Sequence, residues 1–146
     1  MDLFDTSSAQ FKRLKALVLK GKHPNENGQP VEHIDGSKWW FISGELHRND
    51  GPAIECKDGS YAWFEKGVLH RKDGPAIYTA EGSKAWSYRG QWHRDDGPAY
   101  ETTDGTKEWW RHGKLHRDDG PAIERSNGTK EWYKNGTMIS EEDWRI

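Results

Sequence analysis

The chain repeats itself every 23 residues. The phrase His-Arg-x-Asp-Gly-Pro-Ala begins at His47, His70, His93 and His116, with the same step each time. A tryptophan column follows the same step, without insertion or deletion: Trp40, Trp63, Trp86, Trp109 and Trp132. Self-similarity at a period of this length predicts a stacked array in which each copy is one supersecondary unit.

The period divides the chain into three parts. Five copies occupy residues 24–46, 47–69, 70–92, 93–115 and 116–138, the first of them degenerate, and residues 139–146 form a C-terminal cap. Residues 1–23 differ from the repeats, because Phe11, Leu14, Leu17 and Val18 recur at helical spacing. This part is predicted to be a short amphipathic N-terminal helix that ends near Gly21.

Each copy carries two turn signals. Asp58-Gly59-Ser60 is typical of a tight hairpin turn, and a second glycine follows the tryptophan column by four residues, as in Asn135-Gly136. Two strands per copy predict a mainly β fold, an elongated antiparallel meander of about ten strands. A two-residue turn would place Ile54 opposite Trp63 and align the tryptophans with aliphatic residues in one aromatic ridge.

The composition excludes several classes of protein. A formal net charge of −2 makes nucleic acid an unlikely partner. The longest apolar run, Ala16 to Leu19, is too short to cross a membrane, and no signal peptide is recognised. Cys56 is the only cysteine, which suits a reducing compartment, so a cytoplasmic location is expected.

Nine tryptophans, five tyrosines and four phenylalanines indicate that aromatic rings supply the core.

The repeated phrase has two interpretations. As a metal or catalytic motif it is poorly placed, because equivalent histidines two strands apart are separated by roughly 10 Å, whereas zinc ligands lie about 2.1 Å from the ion. As a structural joint it fits well: Asp caps a turn, Gly takes a positive φ, Pro starts a strand and Arg pairs with an acid of a neighbouring copy. No nucleophile motif or phosphate loop is present, so we expect neither catalysis nor a cofactor.

The repeat resembles a known family. The segments "WYKNGTM" and "WFEKGVLHRKDGPA" are similar to the MORN repeat, and more so to the "nGkLHReDGPA" repeat proteins of tailed phages and giant viruses. The resemblance covers residues 24–138 and departs from ordinary MORN repeats at the inserted His-Arg-x-Asp and at the Pro after Gly. It implies stacked β-hairpins in an elongated, twisted sheet, a binding or scaffolding role, and no catalysis.

Function is expected where the copies differ, since scaffold residues must recur. Trp92 stands where other copies have Leu46, Leu69 and Leu115, and Trp39 and Trp110 are additional rings beside the tryptophan column. Aromatic rings beside Arg and His are suited to stacking on planar ligands or on partner side chains. The candidate binding residues are Trp39, Tyr88, Arg89, Trp92, His93, Trp110, Arg111 and His112. The alternative for Trp92 is that it packs on the scaffold; otherwise Trp92→Leu should leave stability nearly unchanged.

These observations predict a non-catalytic protein-binding module. In the light of the resemblance, it would be a phage or viral effector that docks on and inhibits a host protein, in the host cytoplasm. The alternative is a small-ligand binder, such as a sponge for a nucleotide-type signal that uses Trp and Arg at the irregular positions. An uncovered aromatic ridge would also allow a homo-oligomer.

Overall fold

The computed structural model describes residues 28–146, so the predicted helix within residues 1–23 lies outside the described residues. The described part is mainly β, as the turn signals predict. The chain divides into two compact units, the first ending at Val68 and the second running from Leu69 to Ile146. No helix within the described range is long and apolar enough to span a membrane.

The strands are short and more numerous than predicted. The first unit contains β1 (Val31–Glu32), β2 (Lys38–Trp39), β3 (Phe41–Ile42), β4 (Glu45–Leu46), β5 (Ile54–Glu55), β6 (Tyr61–Ala62) and β7 (Phe64–Glu65), and β8 (Val68–Leu69) stands at its end. The second contains β9 (Ile77–Tyr78), β10 (Lys84–Ala85), β11 (Ser87–Tyr88), β12 (Gln91–Trp92), β13 (Tyr100–Glu101), β14 (Lys107–Glu108), β15 (Trp110–Arg111), β16 (Lys114–Leu115), β17 (Ile123–Glu124), β18 (Lys130–Lys134) and β19 (Thr137–Ile139).

A complete copy therefore has four strands rather than two. The copy of residues 93–115 shows the plan: β13 pairs with β14 in one hairpin, and β15 pairs with β16 in another. The first hairpins join an antiparallel sheet, in the order β1-β2-β5-β6 in the first unit and β9-β10-β13-β14-β17-β18-β19 in the second. The second hairpins, such as β3–β4, β11–β12 and β15–β16, are separate two-stranded sheets.

The predicted register of the first hairpin is wrong. Ile54 pairs with Ala62 and not with Trp63, because the loop after Cys56 has three residues instead of two. The Cys56 amide donates to the Ser60 carbonyl at 2.8 Å, and Gly59 adopts φ +96°. This is the three-residue hairpin with a left-handed glycine, which the same Asp-Gly pair also suits. The aligned aromatic ridge is therefore not formed as predicted. In the first four copies the tryptophan falls between the two hairpins, and in the fifth Trp132 lies within strand β18.

The second hairpin is the one that uses a two-residue primed turn. Lys66, Arg89, His112 and Asn135 each have φ between 49° and 51°, and each precedes a glycine with positive φ. Two consecutive left-handed residues define the type I′ turn, whose twist matches that of the flanking strands. Glycine at the second position keeps the cost of this conformation low.

Alanines and arginines of the repeated phrase build the core beside the tryptophans. Ala53, Ala76, Ala99 and Ala122 are 0% exposed. The backbone amide of Trp86 donates to the Ala99 carbonyl at 2.7 Å, and the Arg94 guanidinium carbon lies 3.8 Å from the centroid of the Trp86 ring. The same stacking joins Arg48 to Trp40 and Arg117 to Trp109. Each stacked tryptophan is thus half-buried beneath a cation of its neighbouring copy.

The glycine of the phrase does not have the role predicted for it. Gly51, Gly74, Gly97 and Gly120 lack the positive φ of the turn glycines. A Cβ atom at these positions would lie 2.7–3.0 Å from the guanidinium carbon of the preceding arginine. Glycine is required here for space, so that the arginine can fold back over it.

The arginine bonds within its own copy, which corrects the prediction of pairing between copies. Arg117 reaches Asp119 from Nε at 2.9 Å, and its Nη1 donates to the Pro121 carbonyl at 3.1 Å and to Glu124 at 3.0 Å. Arg48 and Arg94 make the corresponding contacts. The guanidinium therefore ties the link to the first strand of the copy that it begins.

The histidine connects the beginning of its copy to the turn near the end of the same copy. Nδ1 of His47, His70, His93 and His116 accepts a hydrogen bond from the amide of Lys66, Arg89, His112 and Asn135, respectively, at 2.8–3.0 Å. Each donor is the first residue of the primed turn in the second hairpin of the same copy, 19 residues later. In His93 and His116 the other ring nitrogen faces Asp95 and Asp118 at 3.0 and 2.8 Å.

A short helix follows the fifth copy. Helix α1 (Glu141–Trp144) is capped by Ser140, whose hydroxyl accepts from the Asp143 amide at 3.1 Å. The Trp144 indole donates to the Arg117 carbonyl at 3.1 Å. This contact anchors the helix on the linker of the last copy.

Candidate functional site

Five of the predicted binding residues line two cavities in the second unit, Arg89 and Arg111 line neither of these cavities, and Trp39 lies in the first unit. Tyr88, His93 and His112 line an open groove, whereas Trp92 and Trp110 line a separate cavity. Trp39 belongs to the core of the first unit: it is 1% exposed, and its indole donates to Ser37 at 3.2 Å. We therefore leave Trp39 out of the surface proposed below.

The groove has a volume of about 780 Å³ and a polar, aromatic lining. Its rings form a short ladder: the centroids of Tyr88 and His93 lie 6.4 Å apart, and those of His93 and His112 lie 4.4 Å apart with 29° between the planes. His70 lies 4.8 Å from Tyr88 on the other side. Its charged lining consists of Arg71, Lys72, Asp73, Arg94, Asp95 and Asp96.

Turn geometry sets the direction of the groove side chains. Arg89 and His112 occupy the first position of their primed turns, which leaves both residues exposed. The guanidinium carbon of Arg89 lies 5.2 Å from the Tyr88 ring centroid. The His112 amide is held by His93, so the stacked pair of imidazoles is fixed by a backbone hydrogen bond.

Arg111 lies on strand β15 and is held at the linker. Its Nη1 donates to Asp118 at 3.1 Å, and His116 contacts the same carboxylate at 2.8 Å. These two hydrogen bonds lower the pKa of Asp118, with that from His116 the larger cause. Arg111 therefore presents a positioned guanidinium, of which the side chain remains 42% exposed.

The second cavity, which we call the aromatic box, is lined by Trp92, Tyr100, Glu108 and Trp110 and has a volume of about 270 Å³. Tyr100 and Glu108 face each other across strands β13 and β14. The Trp110 indole donates to the Glu108 carboxylate at 2.8 Å. The box shares no lining residue with the groove.

Tyr100 and Glu108 are absent from the residues that the sequence singles out. A signal was present for Tyr100, because its column otherwise contains only Val31, Ile54, Ile77 and Ile123. The wrong register of the first hairpin concealed the rest, since it put a tryptophan rather than Glu108 opposite this tyrosine.

Trp92 replaces more than a leucine. Its cross-strand partner is Ser87, whereas the other second hairpins pair a large ring with an aliphatic residue: Phe41 with Leu46, Trp110 with Leu115 and Tyr133 with Met138. The ring has moved from one strand of the hairpin to the other. Ser87 is buried, and its hydroxyl donates to the Leu69 carbonyl at 2.9 Å. Trp92 thus fills volume that a phenylalanine, tryptophan or tyrosine fills elsewhere.

The described residues contain no group of three or more His, Cys, Asp or Glu side chains placed to hold a metal ion. No protein-family model matches the chain, and no curated protein is significantly similar to it.

Proposed function

We propose that this chain is a non-catalytic repeat scaffold that binds another protein through side chains at which its copies differ. The observation that carries the proposal is that residues which recur in every copy and residues which differ between copies have different surroundings. The recurring His, Arg, Gly and Ala are occupied by contacts within the chain, as shown for His93 and Arg117. The irregular residues Tyr88 and His112 line an open groove, and the exposed Arg89 lies beside Tyr88.

The charge and size of the groove favour a polypeptide ligand. Rings and side chains of both charge signs line it, which suits a chain segment of mixed side chains. A nucleotide is less well matched, because Asp73, Asp95 and Asp96 would repel its phosphates. The cation of Arg94 is also engaged, since it pairs with Asp96 at 3.0 Å.

The resemblance to phage and giant-virus repeat proteins supports a narrower proposal. A partner from an infected host, bound in its cytoplasm and inhibited, would fit a small scaffold without catalytic groups. The site of such an interaction would be the groove lined by Tyr88 and His112, with Arg89 beside Tyr88.

The test uses substitutions borrowed from other copies, which preserve the scaffold. Tyr88→Glu and His112→Asn introduce the residues found at Glu65 and Asn135 in the same columns. The double variant should weaken binding by about 2 kcal/mol or more, as expected when aromatic anchors are removed. The matched control is Glu65→Lys with Lys66→Asn, which makes equivalent exchanges in another copy.

The measurement has two stages. Immobilised native chain, double variant and control are exposed to the same cell extract, and a candidate partner must be retained by the native chain and the control only. Calorimetry with the purified candidate then gives the affinities. If every retained protein binds the double variant as tightly as the native chain, the groove is not the recognition surface.

A further inference from the structure

We propose that the aromatic box binds an alkylated ammonium group, such as a trimethylammonium head on a narrow stem. This site is distinct from the groove and goes beyond the proposed function. Three rings and one carboxylate line the box: Trp92, Tyr100, Trp110 and Glu108. Aromatic faces attract cations through their quadrupole, and rings gathered around one site are a recognised solution for quaternary ammonium ligands.

The neighbouring copy shows why this site lacks an internal cation. One step of 23 residues carries Glu108 to Glu131 and Trp110 to Tyr133. There the Tyr133 hydroxyl donates to Glu131 at 3.1 Å, just as the Trp110 indole donates to Glu108. In that copy the Arg125 guanidinium completes the arrangement with an ion pair to Glu131 at 2.7 Å.

The arginine has no counterpart in the box. The position equivalent to Arg125 is Thr102, whose hydroxyl bonds to Asp104 within its own turn. Over residues 28–146 the carboxylate of Glu108 has one hydrogen bond, from Trp110, and no ion pair. The charge of Glu108 contributes to the raised pKa of Arg125, but the largest cause is the hydrogen bond between Arg125 and Glu131. A carboxylate that is neutralised in one copy is thus left to an external cation in the other.

The remaining lining residues also depart from the repeat in the direction that a cation site requires. Trp92 replaces a leucine and Tyr100 replaces an isoleucine or valine, so both changes add a ring to the same cavity. Tyr100 is 37% exposed, which leaves the box accessible from solvent. Its volume of about 270 Å³ lies below the range of about 300–1,000 Å³ typical of drug-sized ligands, which favours a head group over a whole nucleotide.

The experiment is a titration of the full chain with choline, followed through the indole NMR signals of Trp92 and Trp110. The neutral isostere 3,3-dimethylbutan-1-ol has the same shape without the charge and serves as the comparison, at constant ionic strength. Choline should bind at least about tenfold more tightly, because both the rings and Glu108 act on its charge. Equal binding of the two compounds, or no shift of either indole with choline, would overturn the proposal.

Two variants test the role of charge. Glu108→Gln keeps an acceptor for the Trp110 indole and removes the charge, so choline binding should fall about tenfold while binding of the isostere stays the same. Thr102→Arg supplies the guanidinium of the neighbouring copy and should abolish choline binding. Its control is Thr79→Arg, in the same column, where Ala85 stands in place of Glu108. Unchanged choline affinity in Thr102→Arg, with native indole signals, contradicts the site.

Two sources of the ligand are distinguished by further titrations. Nε-trimethyllysine in a short peptide represents a modified protein, and glycerophosphocholine represents a lipid head group. Tighter binding of either compound than of choline identifies the source and supports the site. Since the probes are small and the groove shares no residue with the box, failure of this proposal leaves the protein-binding test of the groove unaffected.

Discussion

Glycine at position 120 illustrates how one residue type serves two physical needs in the same copy. Gly128 adopts φ +89° with open space around it, so it is required by backbone conformation. Gly120 has no such φ, but a Cβ atom there would lie 2.7 Å from the Arg117 guanidinium carbon. The distinction can be measured, because the steric requirement at Gly120 depends on Arg117, whereas the conformational requirement at Gly128 does not.

Gly120→Ala should destabilise the protein by about 1–3 kcal/mol, the usual cost of overpacking. In an Arg117→Met background the same substitution should cost much less, because the opposing guanidinium has been removed. A double-mutant cycle on denaturation free energies measures this coupling. Gly128→Ala is the control: it should be destabilising in both backgrounds to the same extent. Additivity of Gly120→Ala with Arg117→Met would contradict the steric explanation.

The turn carboxylates give the protein a defined response to acid. Asp104 accepts hydrogen bonds from the Thr102 hydroxyl and, at 3.0 Å, from the Thr106 amide, and these bonds lower its pKa. A carboxyl whose pKa is lower in the folded state contributes stability above its unfolded pKa. That contribution is lost as the pH falls through the folded value. The sensitive range for Asp104 therefore begins near its ordinary pKa of 3.8 and extends below it.

Asp104→Asn should make the acid limb of the stability curve shallower. Asn127 occupies the same column and accepts from the Thr129 amide at 2.9 Å, so the amide can keep the turn hydrogen bond without titrating. Near pH 7 the variant should be about as stable as the native chain, and the difference should appear below about pH 4. Denaturant midpoints across this range provide the measurement. A parallel pH dependence in both proteins would show that Asp104 does not contribute.

At the scale of the hairpin, the pairing of Ser87 with Trp92 changes what a substitution at Trp92 should do. Because other copies have leucine at this position, the sequence alone predicts that Trp92→Leu leaves stability nearly unchanged. The cross-strand partner shows that this change would leave a serine opposite a leucine where other hairpins place a ring. We expect the variant to lose about 2–4 kcal/mol, as for other large-to-small changes in packed sites.

The compensating variant is Ser87→Phe combined with Trp92→Leu, which reproduces the pair formed by Phe41 and Leu46. It should recover a substantial part of the stability lost by Trp92→Leu alone, as judged by thermal melting. It should also lose choline binding, since the ring at position 92 is gone. If Trp92→Leu alone is as stable as the native chain, the Trp92 ring does not compensate for the missing ring at position 87.

The sequence predicts the hairpins but not their register. The Asp-Gly signal suits both a two-residue primed turn and a three-residue loop with a left-handed glycine. The choice between them moves every opposing residue by one place, so Ile54 meets Ala62 instead of Trp63. The separate second hairpin was missed because two strands per copy imply one continuous strand through the tryptophan column, whereas the strand breaks there, as at Trp109 between β14 and β15.

The site was predictable only in part. Departures from the columns single out Tyr88 and His112, which line the groove, and Trp92 and Trp110, which line the box. Their role in binding stays a prediction. Glu108 could not be found in this way, because its column also contains Trp39, two alanines and Glu131 and so has no consensus. Its significance depends on Thr102 standing where Arg125 stands, which is meaningful only once the contact between Arg125 and Glu131 is known.

Across the whole molecule, the histidine contacts form a series in which each link spans 19 residues. Each imidazole holds one primed turn through its Nδ1 atom, as His93 holds the His112 amide and His116 holds that of Asn135. In repeat proteins, stability is approximately a sum over copies and over contacts between neighbours. Loss of one histidine should therefore loosen one turn and leave the others as they were.

Hydrogen exchange on His93→Ala tests this locality. The His112 amide should exchange roughly fivefold faster, corresponding to about 1 kcal/mol for one lost hydrogen bond. The Arg89 and Asn135 amides should keep their native rates, because His70 and His116 still accept from them. In the native chain the Ser43 amide should exchange fastest of the series, since Pro24 stands in the histidine column one step before His47 and has no imidazole to offer. Equal acceleration at all these turns would mean that the copies unfold as one cooperative block, with the histidines acting on global stability rather than on individual joints.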